Sequence, residues 1–340
     1  MNAQTFFLLN VGEGGGPSGG GGLSAPQLVI DDKFFRLADG TRWTGIQSSE
    51  FSLPKRFMVG EDIRPLLDER CAIGFNMVRA WLLNQSVVGH VYPEGIHPNQ
   101  YADFYERVRA FVELLGTYGL AVELTAFTSC IPMMPDRNDQ VRHWVTLQAA
   151  VRGLPNVLLE LVNEHDWGHG ENAPHRDLWS MRPSGIIASS GSSTADAPPP
   201  TPVWDYVLHH TNGLNEWQRR VGHNTMEWAD IHGKPGGANE NMRYPDHDSS
   251  DQHAFDAAAG AALLCAFACY HSQAGKYSRP FDAIERRCAE AWVSGARSVD
   301  LEVQPGRYQR HDEMNVPGQI IRAYSRTLPD GRSDLVKIRA

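Results

Sequence analysis

The chain has 340 residues, 41% of them hydrophobic and 21% charged, with a formal net charge of −9. That composition excludes collagen, coiled coil and wholesale disorder, and no apolar run approaches the 18 residues of a membrane span. An acidic chain without a Lys/Arg-rich run is repelled by polyanions, so a nucleic-acid partner is not expected, and neither is a membrane.

In chain order, Met1–Val11 holds a short apolar run, Phe6–Leu9, with no basic residue before it. It is not a convincing signal peptide, which suggests a cytoplasmic or virion-associated protein. Residues 12–22 contain eight glycines, so 1–26 is expected to be a flexible segment with nothing to bury. Cys71, Cys130, Cys265, Cys269 and Cys288 are odd in number and form no CxxC, which argues against a disulfide framework and a structural zinc site.

From Leu28 onward, short apolar runs alternate with amphipathic segments. The expected strands are Trp43–Ser48, Asn76–Leu82, Leu120–Phe127, Val157–Asn163, Gly185–Ser190, Trp204–His210, Pro235–Glu240 and Ala266–His271. Helical spacing marks Glu61–Ala72, Tyr101–Tyr118, Val141–Val151, Asn215–Ile231 and Phe255–Leu264. Ser190–Trp204, with Pro198–Pro200, is too short and Pro-rich for a crossover helix and reads as a loop. Eight βα repeats predict an α/β fold, a (β/α)8 barrel over 27–298. No GxGxxG follows an early strand, against a doubly wound sheet. Residues 299–340 read as a β extension packed on the barrel, with Gln319–Ile338 forming two strands around Leu328-Pro329-Asp330-Gly331.

Reactive groups in such a barrel gather at the C-terminal ends of strands. The fourth expected strand runs out in Asn163-Glu164 and the seventh in Asn239-Glu240. The second ends Arg79-Ala80-Trp81, the sixth carries His209-His210 and the eighth ends in His271. Two carboxylates facing one another across the mouth suit glycosidic cleavage, where one protonates the leaving oxygen and the other attacks the anomeric carbon or activates water.

Asn163-Glu164, behind an apolar strand that starts Leu154-Pro155-Asn156-Val157, resembles the acid/base strand of the clan A glycoside hydrolases, which include the cellulase-like and β-mannanase families. Gly74-Phe75-Asn76-Met77-Val78-Arg79 resembles their second strand, and Phe35–Trp43 with Asp39-Gly40 the lead-in to their first. The resemblance covers about residues 30–295. It implies a retaining hydrolase with Glu164 as general acid/base and Glu240 as nucleophile, acting on a carbohydrate with no cofactor. It implies further that Asn163 bonds the sugar 2-hydroxyl and that Arg79 orients Glu240 and keeps it ionised, with ionised Glu240 raising the pKa of Glu164. One of His209 and His210 matches the family's strand-six histidine, since alternation turns only one inward. Trp81, Trp167, Tyr244 and His271 are candidate sugar contacts. Two departures stand out: Thr125-Ala126-Phe127 ends strand three where many members carry a histidine, and His271 stands where many carry a tryptophan.

Two other readings share the fold. One is a carbohydrate-binding barrel without turnover, held in an assembly such as a virus particle. The other is a metal-dependent hydrolase using the loops with His165, Asp166, His169, Glu171 and His175, or Asp246, His247, Asp248, Asp251 and His253. With no HExxH and no His-x-His on the first strand, no metal is assigned.

Overall fold

A computed structural model describes residues 24–83, 96–165, 172–192, 203–210, 225, 228–229, 231–240 and 251–298, and three further strands over 308–316, 319–327 and 333–339. The chain enters through an antiparallel sheet of β1 (Leu28–Asp31), β2 (Phe34–Leu37) and β3 (Arg42–Trp43), turning at Asp32 and again at Gly40. The expected first barrel strand therefore divides. Trp43 pairs with Phe35 in this small sheet, and β4 (Gly45–Ser49) begins the barrel two residues later.

Fully buried Phe35 explains the arrangement. Its ring lies 6.3 Å from Trp43 and 6.2 Å from both Tyr206 and Phe267. The same cluster takes in Met77, Ala121 and Leu158, residues from the starts of three barrel strands. The sheet thus plugs the N-terminal end of the barrel and leaves the opposite end for chemistry.

After β4 come α1 (Leu53–Met58), α2 (Arg64–Ile73), β5 (Met77–Leu83), α3 (Phe104–Thr117), β6 (Ala121–Phe127), α4 (Cys130–Met133), α5 (Arg137–Val151) and β7 (Val157–Val162). β8 (Ile187–Gly191), β9 (Val207–His210), β10 (Gly236–Glu240), α6 (Asp251–Leu264), β11 (Phe267–Tyr270), α7 (Gln273–Tyr277) and α8 (Ala283–Arg297) complete the wheel. Local signals set the boundaries. Gly74 ends α2 in the left-handed region at φ 111°, Asp136 caps α5 through the Asn138 and Asp139 amides, and Asp282 with Glu285 forms a capping box on α8.

β4 to β11 form one eight-stranded parallel sheet in the order β8-β7-β6-β5-β4-β11-β10-β9. At the remaining seam, Asp205 stitches β8 to the approach of β9. Its amide donates to the Ala188 carbonyl at 2.8 Å, and its carboxylate accepts the Ala188 amide at 3.0 Å. The result is the expected (β/α)8 barrel.

Alternation divides each strand between two environments. On β6, Val122, Leu124 and Ala126 join the apolar layer under the helices, a cluster that includes Phe111, Leu115, Trp144 and Leu147. Each such valine, leucine or phenylalanine contributes roughly 1.5–3 kcal/mol by leaving water. Glu123 and Thr125 face the barrel axis instead.

The C-terminal region is an antiparallel sheet of β12 (Tyr308–Val316), β13 (Gln319–Thr327) and β14 (Ser333–Arg339). The expected pair of strands is there, with β12 as an unforeseen third, hidden by its polar run Gln309–Glu313. Residues 1–23 and the Pro-rich 193–202 lie outside the described residues. Of the expected helix 215–231, the described Thr225, Trp228, Ala229 and Ile231 are helical. None of the five cysteines is in a disulfide. Among the described residues no helix is long and apolar enough to cross a membrane.

Candidate active site

The site is organised around Arg79, which β5 points into the barrel with no solvent exposure. Its Nη2 donates to Glu160 at 2.7 Å and its Nε to Glu160 at 3.0 Å. Nη2 also reaches the Asn163 side-chain oxygen at 2.7 Å, and Nη1 reaches Glu240 at 2.8 Å. Glu123 lies 3.7 Å from Nε. Burial opposes the charge on Arg79, but Glu160, Glu240 and Glu123 outweigh that penalty and hold its pKa above the ordinary value. One guanidinium thereby ties together β6, β7 and β10 beneath the mouth.

β7 delivers two carboxylates to different places. Glu160 lies within the strand and takes the Arg79 fork, together with the Thr125 hydroxyl and the Ser192 hydroxyl at 3.3 Å. Glu164 follows the strand and adopts φ 45°, a left-handed conformation that costs a non-glycine residue about 1 kcal/mol or more. Its surroundings enforce that turn. The Asn172 amide donates to the carbonyls of Asn163 at 3.3 Å and Glu164 at 3.2 Å, and Ser192 Oγ accepts the Glu164 amide at 3.1 Å.

β9 supplies the link between the two mouth carboxylates. His210 Nδ1 lies 3.1 Å from Glu164 Oε1, and its Nε2 lies 4.0 Å from Glu240 Oε2. Burial pulls the His210 pKa down to about 4, so the imidazole is neutral near pH 7. An oxygen of Glu164, a ring nitrogen of His210 and an oxygen of Glu240 all lie within 4.8 Å of one another. Among the described residues this is the group spaced to hold a metal ion.

Glu240 keeps about a fifth of its side chain exposed. Burial pushes its pKa up, and the Arg79 guanidinium pulls against that push. The sequence expectation put the raised pKa on Glu164 and a settled negative charge on Glu240. For Glu240, burial outweighs the Arg79 contact, so its pKa lies above the ordinary carboxylate value.

The other expected site residues divide by strand face. His209 points away from Glu164 and Glu240, its ring 6.0 Å from that of Trp228, so the question left by the His-His pair resolves to His210. Trp81 projects from β5 two residues beyond Arg79 and stacks on Phe51, with ring centres 3.7 Å apart and planes at 9°. His271 bonds Ser49 Oγ at 3.1 Å and lies 5.3 Å from the Phe51 ring. Trp167 and Tyr244 lie outside the described residues, as do most of the acidic and histidine loop residues.

Sequence reasoning missed Glu123, Glu160, Phe51, Asn172 and Ser192. The first two had a visible signal, a lone charge inside an apolar strand, as in Ala121-Val122-Glu123-Leu124 and Leu158-Leu159-Glu160-Leu161. Such a charge in a strand buried on both faces requires a partner.

No family model matches the sequence, and no curated protein matches it either. Solved structures do share its fold. A glycoside hydrolase superposes with a TM-score of 0.60 at 10% identity, covering 93% of each chain. A glycoside hydrolase family 5 protein from Bacteroides vulgatus superposes at 0.58 and 11% identity, over 88% of this chain and 79% of that one. An endo-1,4-β-mannanase from Eisenia fetida superposes at 0.55 and 13% identity, over 82% of this chain and 97% of that one.

Proposed function

We propose that this barrel is a retaining glycoside hydrolase that cleaves a β-linked oligo- or polysaccharide, with Glu240 as nucleophile and Glu164 as general acid and then base. The observation that carries the reading is the spacing of the two carboxylates around His210. Retaining enzymes hold their carboxyl groups roughly 5–5.5 Å apart, whereas inverting enzymes leave about 6.5–9.5 Å for a water. One oxygen of Glu164 and one of Glu240 lie within 4.8 Å of each other, which supports the shorter, retaining separation. The fold shared with glycoside hydrolases, one of them a β-mannanase, supports the substrate class.

The first step needs Glu240 ionised and Glu164 protonated. Arg79 steadies the Glu240 carboxylate while one of its oxygens attacks the anomeric carbon. Glu164 gives its proton to the departing glycosidic oxygen, and an ester joins sugar to Glu240. Water, losing a proton to Glu164, then attacks the same carbon and frees Glu240, and the two inversions sum to retention.

Neutral His210 serves both states of Glu164. Its Nδ1 accepts a hydrogen bond from the protonated acid in the resting enzyme, and the other tautomer donates one to the ionised base afterwards. Asn163 has its side-chain oxygen committed to Arg79, so its NH2 is oriented as the donor to a sugar hydroxyl. Nothing in this sequence of steps calls for a cofactor.

Proton NMR of the first product formed from a β-glucan, mannan or galactan tests the stereochemistry. Retained β-configuration supports the two roles, and initial release of the α-anomer removes Glu240 as nucleophile. Glu164, His210 and Glu240 are also spaced as metal ligands, so EDTA treatment is the second test. Turnover that survives EDTA supports the two-carboxylate reading, and loss restored by a divalent ion replaces it with metal-assisted hydrolysis.

A further inference from the structure

Below the site the barrel holds a carboxylate layer that the mechanism does not use. Arg79 is the one cation in contact with Glu123, Glu160 and Glu240 among the described residues. Glu123 and Glu160 have no solvent exposure. Three ionised carboxylates on one guanidinium would leave two negative charges uncompensated in a medium that solvates charge poorly. The other groups around this layer do not balance them. Gln47 on β4, Thr125 on β6 and Asn239 on β10 carry no charge, His210 on β9 is neutral, and burial keeps the Cys269 thiol on β11 and the Tyr206 phenol protonated.

The three carboxylates differ in the donors they receive. Glu160 receives two Arg79 nitrogens as well as the Thr125 and Ser192 hydroxyls. Glu240 receives Arg79 Nη1 and reaches solvent. Glu123 is served by neutral donors alone, with Gln47 Nε2 at 2.9 Å and Asn239 Nδ2 at 3.3 Å, both on Oε2. Its other oxygen lies 2.9 Å from Tyr206 Oη, and that hydroxyl lies 3.2 Å from the Leu159 carbonyl. Tyr206 Oη can donate its one proton to either oxygen, and when it donates to Leu159 it is left to accept from a protonated Glu123 Oε1.

We propose that Glu123 stands in the barrel as a neutral carboxylic acid donating to Tyr206, a positioning residue that leaves the whole Arg79 charge to Glu160 and Glu240. Arg79 and Glu123 are lateral neighbours in the β5–β6 register, so an ionised Glu123 would compete for Nε and slacken the fork that aims Nη1 at Glu240. Burial, reinforced by the Glu160 charge, raises the Glu123 pKa to about 7, in keeping with this picture. The role of Glu240 rests on the reading above, whereas the protonation of Glu123 does not.

Infrared difference spectroscopy on the full chain separates the two. At pH 6, where exposed carboxylates are ionised, wild type should show a carboxylic-acid C=O band that Glu123→Gln removes and that fades as pH rises through 7. Tyr206→Phe should shift that band to higher frequency, because the acid loses its acceptor. Carboxylic-acid absorption that neither substitution changes, or none at all, overturns the proposal whether or not the protein turns over sugar. A stability difference gives an independent check. A carboxyl whose pKa is raised on folding binds more protons folded than unfolded, so its contribution falls as pH climbs from about 4.3 to 7. The Tm of Glu123→Gln should therefore gain on wild type between pH 5 and pH 8, and parallel curves contradict the assignment. For the link to Glu240, the wild-type kcat profile should carry an ionisation near 7 that Glu123→Gln loses with KM unmoved. Survival of that ionisation, or a change confined to KM, removes the positioning role.

Discussion

Arg79 spends one nitrogen on Glu240 and two on Glu160. Glu160 thus fixes the plane of the guanidinium, and that plane aims Nη1 at the carboxylate proposed to attack the sugar. Arg79→Lys keeps the charge but loses the fork, and a single ammonium cannot face Glu160, Asn163 and Glu240 together. The variant should fold and lose about a hundredfold or more in kcat, with a smaller change in KM, measured by steady-state kinetics. Activity within a few-fold of wild type would show that the positive charge alone suffices.

The two mouth glutamates should fail differently. Glu240→Ala cannot form the ester and should lose turnover on every natural substrate. Glu164→Ala should still react with an aryl glycoside whose leaving group needs little protonation, and azide should then release a glycosyl azide of retained configuration. Azide on Glu240→Ala should give the inverted product. The opposite pairing of variant and configuration would exchange the two roles.

Acid should weaken the fold through two buried histidines. Burial lowers the pKa of both His143 and His210 to about 4, against roughly 6.5 in an unfolded chain. The unfolded chain then binds more protons between those values, so stability is full above about pH 6.5 and is lost as pH falls towards 4. Urea unfolding at pH 7, 5.5 and 4.5 reads this directly. His143→Gln, away from the mouth, should flatten the dependence, and an unchanged slope would show that His143 charges freely in the native state.

Gly191 closes β8 at φ 120°, and a Cβ there would lie 1.9 Å from the Val162 carbonyl oxygen. Gly191→Ala must therefore separate β7 from β8 next to Ser192, which holds the Glu164 turn. A loss of about 3 kcal/mol or more is expected from the clash and the left-handed backbone. Thermal unfolding checks it, and a neutral substitution would mean the strands part more easily than their packing implies.

Much of the barrel was legible because strands buried on both faces read as short apolar runs. Val157–Asn163 and Leu120–Phe127 each fall within a residue of the observed strand. The N-terminal plug was not, since Phe34-Phe35 and Trp43 sit in two- and four-residue strands too short to show alternation. The helix Ala283–Arg297 was also passed over, although Asp282-x-x-Glu285 marks its start. At the site, strand ends disclosed Arg79, Asn163, Glu164, His210 and Glu240. Reading only strand ends hid Glu160 and Glu123, which lie one layer deeper, and Phe51, which meets Trp81 only once β4 and β5 pair.

The most direct test of the two-carboxylate account is to trap the intermediate. A 2-deoxy-2-fluoro glycoside with a good leaving group, built on whichever sugar the enzyme turns over, slows the second step more than the first. Mass spectrometry of the inactivated protein should show one added fluorosugar, and peptide mapping should place it on Glu240. A sugar ester on Glu164, or rapid release of an inverted product with no adduct, would contradict the account.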